Sequence, residues 1–253
     1  MEFQILGPLE VRDDVAGVAL GTGKQQRALL AILLIHANEL VASDRLIEEL
    51  WPEPPRTAAN ALQVYVGKLR RALEPARERG DPAELLLTQS PGYVLRIGPD
   101  DLDAHRFERL LTEGRKERES SDYATAAARL GEALELWRGP ALADFTYDPF
   151  AQAEIARLEE LRLDAIEERI DVDLALGNAG DLIGELQPLV KDHPLRERLS
   201  GQLMLALYRS GRQADALEAY RQTREVLDEQ LGLTPSPPPV SYTHLTLPTT
   251  ERV

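Results

Sequence analysis

The sequence predicts a mainly α protein in two parts: a mixed α+β N-terminal segment, then an all-α segment of paired helices. Three observations predict it. Strand-type runs occur only within the first 97 residues, where they flank three helical stretches. From Asp103 onward strand signals disappear, and Leu, Ala, Glu and Arg recur at helical spacing. Charge divides in the same place: residues 1–97 hold 11 Lys+Arg against 13 Asp+Glu, whereas the remainder holds 18 against 30.

A chain of 253 residues can form two ordinary domains, each with its own core. It contains no cysteine, which excludes disulfides, thiolate metal sites and cysteine nucleophiles. The histidines, His36, His105, His193 and His244, show no ligand spacing, so neither a metal nor a cofactor is expected. The start, MEFQILGPLE, has no basic region leading into an apolar core, and no apolar run approaches a membrane span. A cytoplasmic chain with no membrane partner is expected.

In chain order, FQILGPLEV (Phe3–Val11) reads as one or two short strands broken at Gly-Pro, and Val18–Leu20 as another. Leu29, Leu30, Leu33 and Leu34 mark a helix over about 24–37. Ser43 stands as an N-cap before DRLIEELW, whose Leu46, Ile47, Leu50 and Trp51 form a buried side. Pro52, Pro54 and Pro55 stop that helix. A third helix follows over Thr57–Leu73, and LLLTQSPGYVLRI then reads as a hairpin, with Leu85–Thr88 and Tyr93–Ile97 flanking Pro91-Gly92. Strands, three helices and a hairpin in this order make a winged helix-turn-helix.

The third helix makes two different demands. Leu62, Val66, Leu69 and Leu73 fall on one stripe, and Asn60, Gln63, Val64, Gly67, Lys68 and Arg71 collect opposite, with no acid among them. Such a face is commonly only a solvated surface. Its composition also suits DNA: Asn and Gln pair with adenine edges, Arg and Lys with guanine or phosphate, and a small residue lets the backbone approach the groove. From Arg56 to Arg79 six cations stand against Glu74 and Glu78, a basic patch on an otherwise acidic chain of net charge −14.

ASDRLIEELWPEPPRTAANALQVYVGKLRRALEP followed by LLLTQSPGYVLRI resembles the OmpR-type winged helix of the actinobacterial antibiotic-pathway regulators, the SARP family. The resemblance covers residues 1–97. It implies double-stranded promoter DNA as partner, with phosphate contacts by Arg56, Lys68, Arg70 and a wing around Ser90 and Tyr93. Base contacts would come from Asn60, Gln63, Val64 and Arg71, with Thr57 and Gly67 completing the face. The loop after the second helix, Trp51, Glu53 and Pro54, is where it implies a contact with RNA polymerase. The family commonly has a small polar residue, often Ser, where this chain has Gly67.

A rival motif, GTGKQ (Gly21–Gln25), sits where a phosphate-binding loop would, but Val18 and Gln25 occupy positions that demand Gly and Ser or Thr. A helix start, with Lys24 reaching a DNA phosphate, is the simpler account.

Beyond Asp103 the helical stretches form three pairs: 102–119 with 123–137, 150–177 with 181–193, and 195–211 with 213–232. Setting Gly177 on Gly211, 34 residues apart, places Asp181 on Asp215 and Ile183 on Leu217; setting Ser121 on Gly211 places Ala126 on Ala216 and Leu130 on Tyr220. That spacing matches tetratricopeptide repeats, so an all-α, tetratricopeptide-like domain is expected over 103–236. The segment from Arg138 to Pro149 interrupts the period and must loop out or pack as a lid. WRGPALADF, HPLRERL, ALYRSGRQADALEAYR and LGLTPS resemble the bacterial transcriptional activation domain of the same regulators. This implies dimer contacts, packing on the DNA-binding domain and polymerase contact. From about Val240 the tail VSYTHLTLPTT resembles translated adapter sequence, and 237–253 is expected to be disordered.

The expected function is sequence-specific transcriptional activation, with a helical-repeat adaptor lacking DNA readout as the alternative. An enzyme is not expected. There is no nucleophile and base constellation, and the paired acids Glu159–Glu160 and Glu167–Glu168 lie in helical charge runs that a solvated face explains.

Overall fold

The computed structural model describes residues 1–12, 23–76 and 81–235. The expected strand at Val18–Leu20, the cations Arg77 and Arg79, and the tail beyond residue 235 lie outside the described residues. Two compact units arise, Met1–Thr112 with Glu132–Leu163, and Glu113–Gly131 with the chain from Asp164 on.

In the first unit, β1 (Glu2–Gln4) and β2 (Glu10–Arg12) form an antiparallel pair, with Phe3 opposite Val11. Helix α1 (Lys24–Ile35) is buried more completely than its amphipathic pattern suggests. Leu29, Leu30, Ala31, Ile32, Leu33 and Leu34 are all buried, because the unit's other elements surround the helix on every side. β3 (Val41–Ala42) leads directly into α2 (Ser43–Leu50), whose N-cap is Ala42. Ser43 is thus the first helical residue and makes no side-chain cap bond, unlike the expectation from sequence; its N–H instead donates to the Pro91 carbonyl at 3.1 Å.

Helix α3 (Ala58–Leu73) buries Leu62, Val66, Leu69 and Leu73, the stripe expected. β4 (Leu86–Gln89) and β5 (Gly92–Leu95) then form the wing, and β5 is central in a sheet ordered β3-β5-β4. Gly92 lies opposite Ala42, where a Cβ would stand 1.9 Å from the Val41 carbonyl oxygen. Only glycine permits that approach.

The segment between Arg138 and Asp148 neither loops out nor forms a lid. It packs on the turn between β1 and β2, through Arg138 N–H to Leu6 O (2.8 Å), Leu142 N–H to Ile5 O (2.8 Å) and Ala143 N–H to Gly7 O (3.2 Å). Asp144 accepts from Leu9 N–H at 2.9 Å and from Arg27 at 2.6 Å. Asp103, buried where α4 (Asp103–Glu119) begins, accepts from the N–H groups of Ile5 and Leu6 at 2.8 and 3.0 Å. Burial pushes its carboxyl above the ordinary aspartate range, more than these bonds and Arg138 pull it down.

The second unit is helical. The chain turns from α4 to α5 (Tyr123–Glu135) at Ser121, from α6 (Gln152–Leu176) to α7 (Ala179–Asp192) at Gly177, and from α8 (Glu197–Arg209) to α9 (Gln213–Leu231) at Gly211. All three turn residues have positive φ, 65°, 93° and 78°. In each turn the residue's N–H bonds the carbonyl three positions back, and the next N–H bonds five back, the Schellman pattern. The three positions superimposed by sequence are therefore one repeated backbone device. α7 and α8 enclose a core of Leu182, Ile183, Leu186, Leu199, Leu203 and Leu207 with Ala216 of α9.

Glu167 and Glu168 correct the solvated-face reading, being only 4% and 6% exposed. With Asp164 and Asp171 they form one stripe of α6, covered by arginines. Arg115 and Arg118 reach Glu168 at 2.9 and 3.2 Å; Arg196 reaches Glu167 at 3.1 Å, and Arg198 reaches Asp171 at 2.7 Å. Gln202 completes the layer by donating to the Glu167 carbonyl at 2.7 Å and to Asp171 at 2.6 Å. Burial raises the Glu167 carboxyl, opposed by Arg196 and Arg198.

Two outcomes are expected. Gly92→Ala should lower unfolding free energy by about 3 kcal/mol, because the new methyl meets backbone that cannot move aside; chemical denaturation reads this, and unchanged stability would contradict the close approach. For Asp103, the folded-state pKa lies above the unfolded value, so its contribution is complete below about pH 4 and is lost as pH rises through the folded pKa. Asp103→Asn should remove that decline, so the mutant and parent stability curves should converge or cross with rising pH instead of running parallel.

Candidate nucleic-acid interface

The outward face of α3 is built by elimination. Its apolar stripe is held in the core, and the residues left exposed are Arg56 and Thr57 just before it, then Ala59, Asn60, Gln63, Val64, Lys68 and Arg71 on the helix. Gly67 is half-buried, and a Cβ there would meet nothing within 4 Å, so among the described residues none covers that position of the helix. The exposed face carries three cations and no acid. Thr57 occupies the N-cap position without a side-chain cap bond, which leaves its hydroxyl on the open end of the helix.

Two residues expected on this surface are placed elsewhere. Arg70 is half-buried and turned to the wing: its Nε donates to the Leu86 carbonyl at 2.8 Å, and its terminal nitrogen to the Thr88 hydroxyl at 2.7 Å. Tyr93, 8% exposed, lies on the central strand opposite Val41 on one side and Thr88 on the other. A central strand has no free edge, and all four residues of β5 are buried. The wing's outward groups are instead Gln89 and Ser90 at its tip and Arg96 beyond β5. Sequence reading overlooked Gln89 and Arg96; the signal was the polar end of LLTQ after an apolar start.

The wing is fastened to α3 a second time. Glu74, just past the helix end, accepts from the N–H groups of Glu84 and Leu85 at 2.8 and 2.5 Å. Helix and wing are thereby presented as one rigid surface. On the other side of α3, Tyr65 stacks on Trp51 with ring centroids 6.1 Å apart, and Lys68 lies 5.9 Å from the Tyr65 centroid. Trp51 is thus half-buried against the helix, whereas Glu53 and Pro54 stand exposed in the loop from α2. Lys24 pairs with Asp148 at 3.0 Å, which gives it a partner within the protein.

Among the described residues no group of His, Asp or Glu is arranged to hold a metal ion, and no helix is long and apolar enough to cross a membrane.

Comparison with known proteins covers both parts of the chain. Residues 18–95 match the family described as transcriptional regulatory protein, C terminal, and residues 102–242 match the bacterial transcriptional activator domain. The chain is 38% identical to the regulatory protein DnrI of Streptomyces peucetius, over 93% of this chain and 88% of that protein. It is 39% identical to the transcriptional regulator RedD of Streptomyces coelicolor, over 93% and 67%. Identity to the regulatory protein AfsR of Streptomyces coelicolor is 41% over 94% of this chain, which spans only 23% of AfsR. A solved structure of Mycobacterium tuberculosis EmbR in complex with a low affinity phosphopeptide matches at a TM-score of 0.90 and 36% identity, over 97% of this chain and 64% of that one. The chain belongs to the SARP family of transcriptional activators, in which an OmpR-type winged helix is joined to a bacterial transcriptional activator domain.

Proposed function

We propose that this protein binds promoter DNA in a sequence-specific manner and activates transcription of a secondary-metabolite biosynthesis cluster. Residues 1–97 would act as the DNA-binding domain and 103–236 as the activation domain. The observation that carries the reading is the exposed, acid-free face of α3, cationic at Arg56, Lys68 and Arg71, locked to the wing through Arg70 and Glu74. A helix about 10–12 Å across fits the major groove, where Asn60 and Gln63 can pair bidentately with adenine and Arg71 with guanine. Arg56 and Lys68 take phosphates, and Gln89, Ser90 and Arg96 of the wing reach the neighbouring backbone.

Recruitment of RNA polymerase is assigned to the exposed Glu53 and Pro54, with Trp51 anchoring their loop on Tyr65. Binding as two copies on promoter repeats, with dimer contacts in the helical part, is part of the same reading. On this reading the protein would act in the cytoplasm, nucleoid-associated when bound, and no catalytic step is part of it.

A mobility-shift titration with promoter fragments from the neighbourhood of the protein's gene, repeated at raised salt, tests this directly. A saturable complex that survives excess random DNA is expected; its absence would leave a helical-repeat adaptor as the better description. Within that assay Arg71→Ala should weaken the specific complex by about 1–3 kcal/mol while leaving unfolding unchanged. Arg70→Ala should do the reverse in the first instance, lowering folding stability by about 1–2 kcal/mol as the wing loses its charged donor. Equal losses on specific and random DNA for Arg71→Ala would reassign it to a phosphate.

A further inference from the structure

Val64 does not fit the rest of its helix. The aliphatic residues of the inner stripe, Leu62, Val66, Leu69 and Leu73, are buried, whereas Val64 is 55% exposed at the middle of the outward face. A β-branched residue is no asset to a helix surface, since it loses side-chain freedom there, and exposing it keeps apolar area in water. It stands on a ridge with Asn60 one turn before it and Lys68 one turn after. Beside it runs the ridge of Gln63, Gly67 and Arg71, where the space above Gly67 is open. An apolar side chain is therefore set between amide and cationic groups on a face without acids.

That combination matches one surface chemistry. The major groove offers hydrogen-bond acceptors and donors at every base pair, but an apolar group at only one base, the 5-methyl of thymine. The geometry points to Val64 as a specificity-determining residue that reads a thymine by covering its 5-methyl group. Asn60 and Lys68 lie about 6 Å away along the axis in either direction, close to two base-pair steps, and take a flanking base edge and a phosphate. This rests on the DNA-binding reading of α3 and adds to it the identity of one base. A protein partner for the same face would be better served by acids on that partner than by an isolated methyl contact, and it makes a different prediction below.

The test uses the full chain and a duplex that it selects from a randomised pool. Each thymine is replaced in turn by deoxyuridine, which lacks only the 5-methyl group and keeps every hydrogen bond. At one thymine per protein copy the replacement should weaken binding about fourfold, the loss expected from uncovering one methyl-sized apolar group. Val64→Ala should weaken binding to the unmodified duplex by a comparable factor and become indifferent to deoxyuridine at that position alone. Since Val64 lies outside the core and Ala is the better helix former, this variant should melt no lower than the parent. Equal deoxyuridine sensitivity in Val64→Ala and parent, or insensitivity of the parent at every thymine, overturns the inference and leaves DNA binding standing. Failure to select any saturable duplex overturns both.

Discussion

One buried carboxylate ties the beginning of the chain to the start of its long helices. Asp103 accepts the N–H groups of Ile5 and Leu6, which no strand partner takes, and it does so at the first residue of α4. Arg138 stands 3.8 Å from the same carboxylate and donates to the Pro8 carbonyl, so the turn between β1 and β2 is grasped from two distant stretches of sequence. Desolvation works against such a carboxylate, and the raised pKa of Asp103 records that cost. The bonds it makes are what keep it there, because two backbone donors would otherwise be left in the interior unpaired.

This arrangement explains why the WRGPALADF stretch is needed by an element more than a hundred residues earlier. Asp144 bonds Leu9 and Arg27, and Arg27 in turn donates to the Leu9 carbonyl at 2.8 Å, so the stretch also bears on α1. α1 is the helix against which α2 and α3 pack, and its six consecutive buried residues leave no side free for solvent. The orientation of the outward face of α3 thus depends on α1, and α1 is braced by residues that lie in the second half of the sequence. A recognition surface needs this rigidity, since each base contact is worth little unless its neighbours are held in register.

What was legible in the sequence was whatever has a period or a local rule. The stripe of Leu62, Val66, Leu69 and Leu73 follows from 3.6 residues per turn; the helix turns at Gly177 and Gly211 follow from residue type and spacing, and that at Ser121 from spacing alone. What was not legible depends on partners far along the chain. Tyr93 looks like an outward wing residue until β3, only two residues long, pairs with β5 and makes it a central strand. Arg70 and Arg71 are adjacent cations of the same type, and only the position of β4 turns one inward to Leu86 and Thr88 and leaves the other exposed. An acidic stripe on α6 has the same sequence pattern whether water or Arg115, Arg118, Arg196 and Arg198 covers it.

The charge of the chain can now be apportioned by place instead of by sum. Much of the acidity of α6 is matched by arginines at close range, so it does not project a field as unpaired carboxylates would. The outward face of α3 has its own small positive field, from Arg56, Lys68 and Arg71. With Arg71 given to a base, Arg56 and Lys68 together with Arg96 of the wing would make about three cationic phosphate contacts, a salt dependence of only about three powers and weak binding of arbitrary DNA. On the proposed reading, such a surface cannot hold DNA by charge alone, and what it lacks in general attraction must be made up by base contacts and by adjacent copies. On that reading a sparse cationic face on an acidic protein would favour discrimination over adhesion: the rest of the molecule would resist random phosphate, and only a site that satisfied Asn60, Gln63, Val64 and Arg71 together would offset that resistance.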